Sequence, residues 1–121
     1  ITSKSDALLK FWEPNAPSYQ ERLDALRYAF YQGFKTSVSV EPFLEYNPLR
    51  LIEAIDPFVS ESIWIGKMNY ITRNGLSDFE SQFYYKVRQN YETAHLRELY
   101  DQLSIYHKIR IKDSIRNQLS I

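Results

Sequence analysis

Thr36-Ser37-Val38-Ser39-Val40-Glu41-Pro42 decides how the rest of the chain is read. Val38 and Val40 alternate with Ser37, Ser39 and Glu41, so one face is branched and apolar and the other small and polar. This pattern predicts a strand over Thr36–Glu41. Pro42 has no N–H to give a ladder and marks the strand's exit. A carboxylate at the C-terminal end of a strand between two helical segments stands where α/β folds keep their chemistry. Glu41 is therefore the first candidate site residue. The plainer reading makes it a cap or an ion-pair partner for the following loop.

Upstream, Ser18-Tyr19-Gln20-Glu21 has the form of a capping box. Leu23, Leu26 and Phe30 follow it as one helical stripe, and Gly33 supplies a left-handed stop with Phe34 just beyond. Pro14 and Pro17 bound a shorter helix ending near Trp12. Ile1-Thr2-Ser3 reads as the tail of another strand, and the chain is expected to be a piece of a longer protein.

Downstream, Asn47-Pro48 opens a helix with Leu49, Ile52 and Ile55 on its buried side, and Pro57 ends it. Glu61 to Asn69 is a second strand candidate, and its apolar character predicts burial on both faces. Ser77-Asp78-Phe79-Glu80 is another capping box, followed by Phe79, Phe83 and Val87 on one side. The stripe changes phase between Asn90 and Thr93, then resumes as Leu96, Leu99 and Leu103, so a break is expected there. Lys108-Ile109-Arg110-Ile111-Lys112 alternates strictly and predicts a last strand. Asp113 or Ser114 is expected to cap a terminal helix. The order of elements is repeating β-α, which implies α/β architecture with a parallel sheet.

Composition sets bounds on function. A length of 121 residues allows one domain. Apolar residues make up 44% and aromatics 16%, enough for a core. Fifteen basic and fifteen acidic residues cancel, so nothing in the charge indicates nucleic-acid binding. No apolar run reaches the length of a membrane span. There is no cysteine, which excludes disulfides and iron–sulfur ligation within these residues. Its absence fits a reducing compartment, and a cytoplasmic chain is the expectation.

Several landmarks occur together. They are Phe11-Trp12-Glu13-Pro14-Asn15-Ala16-Pro17-Ser18, Glu21-Arg22-Leu23, Gly33-Phe34, Val38-Ser39-Val40-Glu41-Pro42, Ile63-Trp64-Ile65-Gly66-Lys67-Met68-Asn69, and Lys108-Ile109-Arg110-Ile111-Lys112-Asp113-Ser114. Together they resemble the C-terminal half of radical S-adenosylmethionine proteins of the spore photoproduct lyase, or DNA repair photolyase-like, group. The resemblance implies the second half of a partial (β/α)6 TIM-like barrel. It places Ile1-Thr2-Ser3 at the fourth strand, Thr36 to Glu41 at the fifth and Ser62 to Met68 at the sixth.

In that group a Cys-x3-Cys-x2-Cys triad after the first strand holds a 4Fe–4S cluster, and this chain lacks it. The resemblance therefore implies a cluster and S-adenosylmethionine only in a full-length parent enzyme, with neither expected on this chain alone. The implied partner is the N-terminal half of the same barrel.

Six further residues join Glu41 as candidate cofactor contacts. Ser39 shares its face, where a small polar side chain leaves room and offers a hydroxyl; simple filling of the barrel is the alternative. Ser3 and Lys4 lie just past a strand end and could meet the cofactor carboxylate, or could belong to a solvated loop. Gly66 permits close backbone approach, and Lys67 and Asn69 beside it carry polar side chains; a plain strand exit competes with that reading. Lys112-Asp113-Ser114 repeats the pattern, with an ion pair and helix cap the favoured explanation. His95 and His107 are isolated and receive no role. The competing functional reading is a non-catalytic module that forms a homo-oligomer through exposed strand edges.

Overall fold

A computed structural model describes residues 1–121. It is an α/β structure with six helices and a three-stranded parallel sheet. Helices α1 (Asp6–Trp12) and α2 (Tyr19–Tyr31) precede strand β1 (Val38–Val40). Helix α3 (Leu49–Ile55) runs into a 3-10 turn at Asp56–Phe58 and leads to β2 (Ile63–Ile65). Helices α4 (Asp78–Asn90) and α5 (Thr93–Leu103) then lead to β3 (Ile109–Ile111), and α6 (Asp113–Leu119) closes the chain.

Local chemistry sets most of the boundaries. Ser77 accepts from the Glu80 N–H while Glu80 reaches back to the Ser77 N–H, a complete capping box. Ser18 makes only the first half: its hydroxyl takes the Glu21 N–H, and the Glu21 carboxylate bonds that same hydroxyl at 3.2 Å. Gly33, at φ +84°, ends α2. There the Phe34 N–H bonds the Ala29 carbonyl and the Gly33 N–H bonds the Phe30 carbonyl. The α-helix ends at Ile55, two residues before Pro57, and the proline fits the first turn of the 3-10 segment that follows.

The strands lie in the order β1-β2-β3, with Val38, Ser39 and Val40 opposite Ile63, Trp64 and Ile65. Those three in turn face Ile109, Arg110 and Ile111. One face of the sheet is buried. Val38, Val40, Ile63 and Ile65 join Leu9, Leu51, Ile52, Ile55, Val87, Leu96, Leu99, Leu103, Ile115 and Leu119 in a single core. Full burial of such a side chain is worth about 1.5–3 kcal/mol. Helix α2 buries no residue completely; its Leu23 and Leu26 lean on the core from outside.

Five expectations are corrected. Ile1-Thr2-Ser3 is extended beside β1, with the Ile1 nitrogen on the Ser39 carbonyl and the Leu44 N–H on the Thr2 carbonyl, but it forms no strand. Thr36 lies outside β1, since its N–H and hydroxyl are bonded to Ser60 and the Phe58 carbonyl. The second strand is shorter than predicted and is buried on one face only: Trp64 is 40% exposed. Phe79 projects outward, 63% exposed, with its ring against those of Phe11 and Phe83. Neither Asp113 nor Ser114 caps α6, whose N-cap position is Lys112 without a side-chain bond.

Candidate functional site

The second face of the sheet carries no covering layer. Strand alternation puts Ser39, Trp64 and Arg110 in one row across it, all exposed. One step toward the strands' start, the Ser37 and Ser62 hydroxyls lie 3.2 Å apart. One step toward the C-terminal ends stand Glu41, Gly66 and Lys112.

These last three touch. The Lys112 ammonium lies 3.4 Å from a Glu41 oxygen, with both side chains about one-third exposed. It also sits 5.5 Å from the centroid of the Trp64 ring. Backbone bonds fix the frame beneath them. The Gly66 N–H bonds the Val40 carbonyl, the Phe43 N–H bonds the Gly66 carbonyl, and the Lys112 N–H bonds the Ile65 carbonyl.

The Glu41 side chain lies flat across Gly66. A Cβ at position 66 would stand 2.8 Å from both Cγ and Cδ of Glu41, and closer still to one carboxylate oxygen. The close approach that a glycine permits is thus used by the protein's own carboxylate.

The chain after Glu41 is held from a distance. The Glu41–Pro42 peptide is cis. The Tyr91 hydroxyl donates to the Phe43 carbonyl at 2.6 Å, and the Asn90 amide donates to the Leu44 carbonyl at 2.9 Å. Burial pushes the Tyr91 hydroxyl well above the ordinary tyrosine range. The break between α4 and α5 therefore has a purpose: it turns two consecutive side chains onto the loop behind the candidate site.

The other candidates are dispersed. The Ser3 hydroxyl is buried, donates to Glu45 at 2.8 Å and accepts the Ser5 N–H, so it organises a turn. Lys4 is exposed, with its ammonium 5.9 Å from the Tyr19 ring. The Lys67 N–H reaches the Ser114 hydroxyl at 3.4 Å, which ties the exit of β2 to α6. Asn69 is exposed and lies past the end of β2. The structure thus gathers Ser39, Glu41 and Gly66 on one face, adds Lys112 to them, and leaves Ser3, Lys4, Lys67 and Asn69 outside that contact. His95 has a structural place: it stacks on Tyr46 at 3.7 Å, and its Nε2 bonds the Tyr46 carbonyl at 2.6 Å. A carbonyl only accepts, so Nε2 carries the proton.

Chemically, this edge offers a half-exposed carboxylate, a paired ammonium and small hydroxyls. It can accept hydrogen bonds from a diol or an amine and balance one charge. The chain has no cysteine, and no three His, Asp or Glu side chains are grouped for a metal. No family model, curated protein or solved structure matches the chain.

Proposed function

We propose that this chain is the second half of a radical S-adenosylmethionine barrel, and that the C-terminal edge of its sheet receives the nucleoside end of that cofactor. The observation that supports this reading most is the one-sided sheet. Parallel strands in sequential order, with the core and its helices on one face and the exposed row of Ser39, Trp64 and Arg110 on the other, have the local geometry of a β/α barrel wall. In such a wall the uncovered row faces the lumen, and chemistry gathers at the strands' C-terminal ends. Glu41, Ser39 and Lys112 are the polar groups there.

Within that reading, Glu41 accepts from ribose hydroxyls or from the cofactor's amino group, and Lys112 sets the carboxylate's position. The cluster belongs to the other half of the barrel, whose strands would continue past the Ile1–Ser3 edge. The cofactor supplies the radical chemistry when bound there; these residues supply recognition only.

The reading frame upstream of Ile1 provides the first test. A Cys-x3-Cys-x2-Cys triad following a strand is expected, and a frame without one refutes the proposal. In a polypeptide carrying both halves, Glu41→Gln should weaken S-adenosylmethionine binding about tenfold, the value of one charge-assisted hydrogen bond. Unchanged binding with an intact cluster would return Glu41 to a purely structural role.

A further inference from the structure

A groove of about 410 Å³ runs along the outer edge of β3, between that strand, the end of α5 and α6 at Arg116. Its volume falls in the range of small-ligand sites. Trp64, Tyr100, Tyr106 and His107 bring aromatic rings to it, and Arg110 and Arg116 bring the charge. No acidic side chain lines it. In a chain whose charges cancel, this is a local concentration of positive field.

Neither arginine is held in an ion pair: the chain's three use Arg22, Lys108 and Lys112. Arg110 is positioned rather than free. One terminal nitrogen donates to the carbonyls of His107 at 2.8 Å and Ile109 at 3.0 Å. That anchorage leaves the other N–H groups of the fork for an incoming acceptor. Trp64 is also fixed: its indole N–H donates to the Ser62 hydroxyl at 3.1 Å, and the ring stays 40% exposed.

We propose that this groove binds a small aromatic anion, a flat ring carrying a phosphate or a carboxylate. Arg110 and Arg116 take the anionic group, and Trp64 and Tyr106 take the ring. The groove flanks β3, whereas the cofactor edge proposed above centres on Glu41; the two meet at Trp64, whose ring the Lys112 ammonium approaches at 5.5 Å.

The test follows the indole N–H resonance of Trp64 in the 121-residue chain, assigned against Trp12→Phe. Adenosine 5′-monophosphate probes the phosphate form and indole-3-acetate the carboxylate form. At least one should shift the Trp64 resonance saturably, and the one that does names the anionic group. Adenosine and inorganic phosphate, each carrying half of the ligand, should bind at least about tenfold more weakly. Arg110→Gln and Arg116→Gln, both at exposed positions, should each weaken the successful probe about tenfold while circular dichroism stays unchanged. Failure of both probes to saturate, or equal binding to the arginine variants, would overturn the proposal.

Discussion

Substituting Gly66 by alanine puts the contact with Glu41 to a quantitative test. The backbone at 66 cannot yield easily, because its N–H and carbonyl are both bonded, to Val40 and Phe43. Its φ lies outside the left-handed region, so alanine brings no backbone strain of its own. The Glu41 side chain must move instead. Displacing it from its rotamer costs about 0.5–1.5 kcal/mol. Its half-exposed pair with Lys112 adds at most about 1 kcal/mol when lost. Against this, replacing glycine restricts the unfolded chain and returns about 0.4–1 kcal/mol. Gly66→Ala should therefore range from about 0.5 kcal/mol stabilising to about 2 kcal/mol destabilising in the wild-type background. In a Glu41→Ala background the obstruction is gone, and the same change should stabilise by about 0.4–1 kcal/mol. Urea unfolding of the four proteins closes the cycle, with an expected coupling of about 0.5–2.5 kcal/mol. A coupling indistinguishable from zero would show that Glu41 does not lie over Gly66 in solution.

Two more outcomes are expected. Tyr91→Phe leaves the buried Phe43 carbonyl without its partner and should cost about 1–3 kcal/mol in chemical denaturation; in the wild type, ultraviolet titration should show this hydroxyl ionising only as the protein unfolds. Glu80 is held below its ordinary value of 4.5, first by the Ser77 N–H and then by the Ser77 hydroxyl. Its folded value lies below its unfolded one, so its stabilisation is present above pH 4.5 and is lost as pH falls through the folded value. Glu80→Gln should flatten that part of the stability–pH curve, measured by urea midpoints on either side of pH 4.5.

What could be read directly was local. Ser77 and Glu80 recognise one another across three residues, and Gly33 ends a helix by its own backbone freedom. Leu96, Leu99 and Leu103 declare a buried face by spacing alone. The strands were legible in type and less so in extent, because a strand ends where its neighbour does. Thr36 continues the alternation but is bonded to Ser60 and Phe58, and Lys67 turns away to Ser114. The apolar run at Ile63–Ile65 gave no sign that one face is bare, since Trp64 is as apolar as its neighbours. Of the candidate site, alternation linked Ser39 to Glu41. Nothing in the sequence linked Glu41 to Gly66, because that contact depends on the register between two strands separated by a helix. Arg110 and Arg116 escaped notice for the same reason: their shared groove exists only once α6 has packed beside β3.

The bonds from Asn90 and Tyr91 to the loop behind Glu41 also bear on the order of assembly. They span 46 and 48 residues of chain, against the 25 that separate the paired Ser37 and Ser62 hydroxyls. Strands β1 and β2 can therefore pair while the exit from β1 still lacks its partners, since shorter loops close at lower entropic cost. As the chain leaves the ribosome, β1 and β2 emerge before Asn90 and Tyr91, which fix the loop after Glu41. The quality of this edge is thus governed in part by residues that never touch it.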